Sequence, residues 1–329
     1  MELKDKNVLV TGAGGFVGSH LVERLVERGA RVRCFLRYTS RSDRGLLVQL
    51  PAETREKIQA VFGDLRDADT VMEAMKRIHV VFHLGSLIAI PYSYLHPREV
   101  FETNVVGTLN VMLAARDLEV EKIIHTSTSE VYGSALYVPM DESHPLQGQS
   151  PYSASKISAD KIAESFYDSY ELPVAIVRPF NVYGPRQSAR AVIPTVISQA
   201  LTRREICLGS LHPTRDYTYV SDTVEGFFRV AECDEAVGKI FNVGSNFEIS
   251  VGDLVEKIGR LMGRGVRVVA EQRRRRPLKS EVQRLCCDNT LARNVLHWQP
   301  KIPIDQGLKR TIGWISAHID EYNTKDYVI

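Results

Sequence analysis

The 329-residue chain lacks any apolar run long enough to cross a bilayer, so no transmembrane helix is expected. Nor does its start read as a secretory leader. An excess of either charge is missing too: 42 Lys and Arg stand against 40 Asp and Glu, leaving +2. That balance argues against nucleic acid or a membrane as the partner. Cysteine is sparse, with residues at 34, 207, 233, 286 and 287, odd in number and without C-x-x-C spacing. Reduced thiols and a cytoplasmic location are therefore expected, with Cys286 and Cys287 as buried thiols rather than a bridge. Neither His83 nor His125 reads as having a second His or Cys at metal spacing, so no metal site is expected. His83 and His125, beside strand ends, should instead make structural hydrogen bonds. Repeats and low-complexity linkers are absent. The single dense charge run, Arg273 to Arg276, reads either as a solvated loop or as the source of one phosphate-binding guanidinium, best Arg276 or Arg274.

What the chain does have is a glycine-rich turn near its start. Lys6 to Val10 reads as a short buried strand, followed by Thr11-Gly12-Ala13-Gly14-Gly15-Phe16-Val17-Gly18 and an amphipathic helix to about Arg28. Gly12, Gly15 and Gly18 are spaced G-x-x-G-x-x-G, which departs from the usual G-x-G-x-x-G. The physics is shared: missing side chains permit a tight turn and let a pyrophosphate reach backbone N–H groups at a helix start. Gly12, Gly15, Phe16, Val17 and Gly18 are the expected cofactor contacts there. The second strand, Arg31 to Arg37, ends without the carboxylate that usually holds a ribose 2′-hydroxyl. Arg37 suits a 2′-phosphate, so NADP is favoured over NAD within an NAD(P) site; the alternative is Arg37 stacked on adenine beside plain NAD.

Further strand ends extend the pattern. Asp64 and Leu65 follow Ala60-Val61-Phe62 at the expected adenine edge, and Leu84 and Ser86 follow Val80-Val81-Phe82-His83 near the nicotinamide ribose. Asn104 is expected to orient the site or, alternatively, to pack a helix. Strand and helix patterns alternate to about residue 180. They predict an α/β Rossmann domain with a doubly wound parallel sheet over 1–180. A smaller C-terminal α/β substrate domain over 181–329 is expected, part of it returning to the sheet.

Tyr152 and Lys156 lie four residues apart in Ser150-Pro151-Tyr152-Ser153-Ala154-Ser155-Lys156. On a helix they share a face. An ammonium beside a phenol favours the phenolate and lowers its pKa, and such a phenol can take a proton from a sugar hydroxyl while a nicotinamide takes the hydride. A surface helix explains the spacing alone; the glycine turn upstream tips the reading towards chemistry.

With these motifs the chain resembles the extended short-chain dehydrogenase/reductase family over essentially its full length. The remaining matches are Gly63-Asp64-Leu65, Ser127 to Gly133, Arg178 to Arg186 (with Pro179 and Asn181), and Arg215 to Val220. The resemblance implies a nucleotide-diphosphate sugar substrate, a Rossmann cofactor domain with Pro179 and Asn104 among its contacts, and a homodimer. It places Asn181, Arg190, Val192, Arg215 and Arg276 at the substrate. Thr128-Ser129-Glu130 is the informative piece, because a 4-epimerase typically carries small residues where Glu130 stands. Glu130 implies proton removal at C5, hence a 4,6-dehydratase in which Tyr152 is base at the C4 hydroxyl. Lys156 would tune it, Thr128 would bond the C4 oxygen, and Ser129 would assist at C6. dTDP-glucose 4,6-dehydratases hold Asp at the position of Ser129, whereas GDP-mannose 4,6-dehydratases resemble this chain in Thr-Ser-Glu and in Arg37. UDP-glucuronate decarboxylases also carry Thr-Ser-Glu, with a basic residue before a proline that Arg275 or Arg276 before Pro277 would mimic. His83 to Ser93, Leu146 to Pro151, Gln187 to Pro194 and Ser245 to Ser250 are most similar to N-acetylglucosamine 4,6-dehydratases of legionaminic acid biosynthesis, which implies a GDP- or UDP-linked amino sugar.

Overall fold

A computed structural model describes residues 1–322. Its strands are β1 (Asn7–Thr11), β2 (Arg31–Arg37), β3 (Ile58–Gly63), β4 (Val80–His83), β5 (Lys122–Thr126) and β6 (Val174–Pro179). They are followed by β7 (Asn181–Tyr183), β8 (Glu205–Leu208), β9 (Thr214–Tyr219), β10 (Ile240–Val243), β11 (Glu248–Ser250) and β12 (Arg267–Ala270). Seven of them form one sheet in the order β10-β6-β5-β4-β1-β2-β3, every pair parallel. The direction of the strand order reverses between β1 and β4, the place where doubly wound sheets open a crevice for a ligand. The fold is the expected Rossmann-like α/β architecture.

Both faces of the sheet are covered, and the strand sequences say why. Val8 and Val10 of β1 enter one apolar cluster while Leu9 between them enters the other. In β4, Val80 and Phe82 point one way and Val81 the other. That period of two with apolar residues at every position is the mark of a strand buried on both sides. The first face receives the helices Phe16–Glu27 and Val220–Glu232, through Leu21, Leu25, Phe227 and Phe228. The second receives Ala68–Met75, Gly107–Asp117 and Pro151–Tyr170, through Val71, Val111, Met112, Ala163 and Phe166. Each large side chain so buried contributes about 1.5–3 kcal/mol.

The later chain is woven into this body. β10 hydrogen-bonds to β6 in register Ile240 to Ile176 through Val243 to Pro179. The rest forms a three-stranded sheet, β11-β9-β7, and a parallel pair, β12-β8. Asp216 on β9 ties the pieces together: its Oδ1 accepts from the Ser245 backbone N–H at 2.7 Å and its Oδ2 from that of Cys287 at 3.1 Å. None of the five cysteines is in a disulfide.

Candidate active site

The carboxyl ends of β1, β4, β5 and β6 lie side by side, and Gly12, Leu84, Thr128 and Asn181 follow them in the chain within two residues. The glycine turn comes first. Gly12 holds φ +70°, and a Cβ on it would come within 2.8 Å of the Gly85 nitrogen. A Cβ on Gly18 would lie 2.2 Å from the Gly12 carbonyl oxygen. The turn therefore presses the helix Phe16–Glu27 against the strand end, which only glycine permits at these two positions. No side chain caps that helix and no acidic residue stands in its first turn. The opening N–H groups, including those of Phe16 and Val17, have no intrahelical acceptor. An uncapped helix start behind a side-chain-free turn fits a dinucleotide pyrophosphate. Gly18→Ala is expected to lower thermal stability by about 1–3 kcal/mol through overpacking and to abolish cofactor retention, read by melting and by cofactor content of the purified protein.

Around the turn, Gly85 N–H donates to Thr11 Oγ1 at 3.0 Å, and Leu84 N–H to the Thr11 carbonyl at 3.3 Å. His83 bridges Thr11 Oγ1 at 2.8 Å and Thr108 Oγ1 at 3.1 Å, the structural role expected of it. Leu65 is buried against Gly107, and Ser86 lies half-buried just past β4. Asp64 is engaged by Arg66 at 2.6 Å, whose hydrogen bonds hold its carboxyl below the ordinary range. Arg37 ends β2 with its side chain 65% exposed and 3.4 Å from Glu99, which also accepts from the Tyr92 hydroxyl.

Asn104 orients the backbone of the site. It sits in a π-helical turn, Glu102–Val106, a widening often found at functional sites. Its Oδ1 accepts from Leu87 N–H at 2.7 Å, and its Nδ2 donates to the Leu87 carbonyl at 3.0 Å and to Ser155 Oγ at 2.9 Å. Both amide protons are thus spent inside the protein. Asn104 braces the segment after β4 against the helix that carries Tyr152.

That helix, Pro151–Tyr170, starts where local chemistry dictates. Ser150 and Ser153 exchange side-chain and backbone hydrogen bonds of 3.1 and 2.9 Å, a reciprocal cap, and Pro151 supplies the first-turn φ. Tyr152 and Lys156 are 7% and 3% exposed on the buried face. Lys156 Nζ donates to the Thr126 carbonyl at 2.7 Å, and burial pulls its pKa down to about 8, with Asp160 acting the other way. The Tyr152 phenol departs from the expectation of a lowered pKa. Burial pushes it up, Glu130 and Asp160 push the same way, and only the hydrogen bond to Thr128 opposes them. Removing the phenol from water outweighs what its neighbours supply in the protein alone.

Thr128 caps the short helix Ser129–Tyr132, its Oγ1 accepting from Glu130 N–H at 3.2 Å. Ser129 and Glu130 are buried. Facing the Glu130 carboxylate is Arg276, with Nη1 3.5 Å from both oxygens. Of the arginine run, it is Arg276 that turns inward; Arg275 is exposed and Arg274 is engaged by Glu271. Arg215 lies 3.4 Å from Glu281, and beside them the Tyr94 hydroxyl meets Ser280 at 2.6 Å. Asn181 Oδ1 is buried with no partner in the protein, an acceptor left for a ligand donor. Pro179 closes β6 opposite Val243. Val192 opens the helix Val192–Thr202 half-buried, and Arg190 is exposed, donating to Ser188 at 3.3 Å.

Sequence reading missed the buried cluster behind this surface. Asp160 accepts from Ser127 Oγ at 2.7 Å and from Arg178 Nη2 at 3.0 Å, all three buried. His125 Nε2 lies 3.3 Å from Asp160 Oδ1, a buried contact that helps lower the pKa of that carboxyl. The one available signal was spacing: Asp160 is a further four residues on from Lys156.

Comparison with known proteins agrees with this geometry. Residues 9–311 match the family described as GDP-mannose 4,6 dehydratase. The chain is 34% identical to the human dTDP-D-glucose 4,6-dehydratase, covering 94% of this chain and 89% of that one. It is 35% identical to the UDP-glucose 4-epimerase of Mycolicibacterium smegmatis, over 92% and 96% of the two chains. Among solved structures, that of DesIV, a dTDP-glucose 4,6-dehydratase from Streptomyces venezuelae with NAD and TYD bound, superposes with a TM-score of 0.88 at 28% identity, covering 96% of this chain and 99% of that one. A glycine turn uncapped for phosphate, a buried Tyr152–Lys156 pair and a match running from β1 into the last helix all point one way: the chain belongs to the GDP-mannose 4,6-dehydratase family of sugar-nucleotide enzymes, within the extended short-chain dehydrogenase/reductases.

Proposed function

We propose that this enzyme is an NAD(P)-dependent nucleotide-sugar 4,6-dehydratase acting on a GDP- or UDP-linked N-acetylglucosamine. The observation that carries the reaction type is a buried carboxylate, Glu130, close enough to Tyr152 to raise its pKa. A 4-epimerase moves protons at C4 only, so a second base in the same pocket has no task there. Gly12, Gly15, Phe16, Val17 and Gly18 would hold the cofactor pyrophosphate, with Asp64, Leu65, Leu84, Ser86 and Pro179 along its length. A bound nicotinamide would accept a hydride from C4 and return it at C6.

This chain's residues do the proton work. Tyr152 takes the C4 hydroxyl proton, with Lys156 beside it and Thr128 bonded to the same oxygen. The resulting ketone acidifies C5, and Glu130 removes that proton. The C6–O bond then breaks as Glu130 passes the C5 proton, with Ser129 assisting, to the departing hydroxyl, which leaves as water. The proton that Tyr152 took from the C4 hydroxyl balances the one Glu130 then delivers to C5 as C6 is reduced, giving a 4-keto-6-deoxy sugar and one water. Asn181, Arg215, Arg190 and Val192 would hold the nucleotide diphosphate, and the unpartnered Asn181 Oδ1 supports that placement. The amino-sugar specificity rests on the similarity of the segments around His83, Gln147, Gln187 and Asn246 to the legionaminic-acid enzymes.

NADP is the finer cofactor reading, carried by Arg37. A 2′-phosphate would replace the exposed Glu99 contact of 3.4 Å with a stronger bidentate one. Arg37→Ser is then expected to weaken NADP by roughly tenfold or more while leaving NAD nearly unchanged, about 1.4 kcal/mol of selective loss. Equal effects on the two cofactors in a fluorescence titration would overturn it. We also place the domain boundary near residue 180, the enzyme in the cytoplasm, and a homodimer contact along the helices that expose Phe101, Val106, Tyr167 and Tyr170.

A second reading is favoured by one contact. Arg276 faces Glu130 at 3.5 Å and immediately precedes Pro277, matching the basic residue before a proline that the resemblance to UDP-glucuronate decarboxylases calls for. Mass spectrometry after separate incubation with UDP-GlcNAc, GDP-GlcNAc, GDP-mannose and UDP-glucuronate decides. Loss of one water from an N-acetylglucosamine nucleotide supports the proposal and names its carrier. Loss of carbon dioxide from UDP-glucuronate establishes the decarboxylase instead, and an unchanged mass throughout points to an epimerase.

A further inference from the structure

We propose that Asp160 is a positioning residue for C4 oxidation: clamped by Arg178 and Ser127 behind the catalytic pair, its carboxylate keeps Lys156 an ammonium. This rests on the role given above to Tyr152 and Lys156 and extends it one turn deeper into the protein. Tyr152, Lys156 and Asp160 stand at i, i+4 and i+8 of one helix, so all three lie on its buried face. Asp160 and Arg178 are 0% and 1% exposed. Lys156 itself is 3% exposed, and its own hydrogen bond goes to a neutral acceptor, the Thr126 carbonyl. An ammonium in such a place loses its proton readily unless a negative charge stands near.

Among the described residues, the surroundings leave one group for that task. From β4, His83 is buried and held neutral by burial and by the neighbouring charges. From β5, burial likewise lowers the pKa of His125. β6 brings Arg178, a second cation, whose other nitrogen donates to the Tyr132 hydroxyl at 3.1 Å. On the same helix Tyr152 is a protonated phenol, and Glu130 beyond it faces Arg276. Asp160 is the carboxylate that acts on Lys156, and it stays ionised: burial opposes its charge, but His125, Arg178 and Lys156 together carry its pKa below the ordinary value. Arg178 and Ser127 both bond Oδ2, at 3.0 and 2.7 Å, which fixes the carboxylate in place. Oδ1 faces His125 Nε2 at 3.3 Å.

The sign follows directly. Burial has already brought Lys156 down to about 8, and removing Asp160 takes away the charge that opposes the fall. Asp160→Asn therefore lets Lys156 lose its proton at lower pH. A unit or more, roughly tenfold in proton affinity, is expected for an opposite charge at such range. The direct readout is an NMR titration of the lysine ε-carbons, with Lys156 assigned against Lys156→Met, in protein with no substrate added. That measurement does not depend on which sugar is turned over or on the reading of the reaction. The second readout is the alkaline limb of the pH profile for nicotinamide reduction by substrate, expected to move acidward with little change in KM.

Asp160→Asn leaves Arg178 buried without its counter-ion, which can prevent folding. Asp160→Asn with Arg178→Met removes both charges and keeps the volume. A lower Lys156 midpoint in either variant supports the proposal. A midpoint unmoved in a folded variant, with only the melting temperature lowered, overturns it and leaves Asp160 a structural ion-pair partner.

Discussion

Glu130→Gln is expected to separate the two halves of the reaction. Tyr152 and Lys156 both remain, and losing the Glu130 charge only eases ionisation of the phenol, so substrate should still reduce the bound nicotinamide, seen as its near-ultraviolet absorbance. The amide cannot take the C5 proton, so release of the 4-keto-6-deoxy product should fall by ~10²–10⁴, the usual share of a positioned general base. Folding should survive, because Arg276 keeps Glu281 and Tyr94 as neighbours and its side chain is 25% exposed to water. Two measurements in one cuvette, reduced cofactor and product mass, therefore report on different protons. Product formation at the wild-type rate would remove Glu130 from the mechanism, and loss of cofactor reduction would put it in the first step instead.

Tyr152→Phe is expected to stop the reaction before that point. The ring fills the same space and loses only the hydroxyl, which bonds Thr128 and which burial keeps protonated in the protein alone. Without it no group at hand can take the C4 hydroxyl proton, and cofactor reduction should fall by roughly 10²–10⁴ with cofactor content unchanged. The contrast with Glu130→Gln is the useful part: one variant accumulates reduced cofactor and the other accumulates none. Residual reduction near the wild-type rate would mean that another group, Thr128 being the nearest, takes the proton.

How far the sequence reaches depends on where each answer is stored. The glycine turn and the Tyr152–Lys156 spacing are local, and a periodicity argument places both before any coordinate is known. The sheet was legible because two-sided apolar strands such as Val80 to Phe82 alternate with amphipathic helices. Four consecutive arginines look alike in sequence, and the chain path alone brings Arg276 rather than Arg275 to Glu130. The same holds for Asp160, whose partners come from β5 and β6. For Asn104 the sequence offered orientation of the site as a task but not its partners, because its contacts run to Leu87 and Ser155 across two connections. The pKa of Tyr152 went the other way for a physical reason: spacing reveals a cation nearby but not how much water is lost around the phenol.

The placement of β10 bears on how this protein is made. β6 carries Pro179 and is followed directly by Asn181, yet it becomes an interior strand only when Ile240 to Val243 align beside it. A chain leaving the ribosome has long since released Tyr152 and Lys156 when that happens. Until then β6 presents a bare row of backbone donors and acceptors, an invitation to pair with another chain. A fragment cut near residue 180 would keep that edge permanently. A fragment ending near residue 180 is therefore expected to give less soluble protein than one extended through Val243, and recombination of such enzymes is expected to favour a junction after Val243 over one before Asn181.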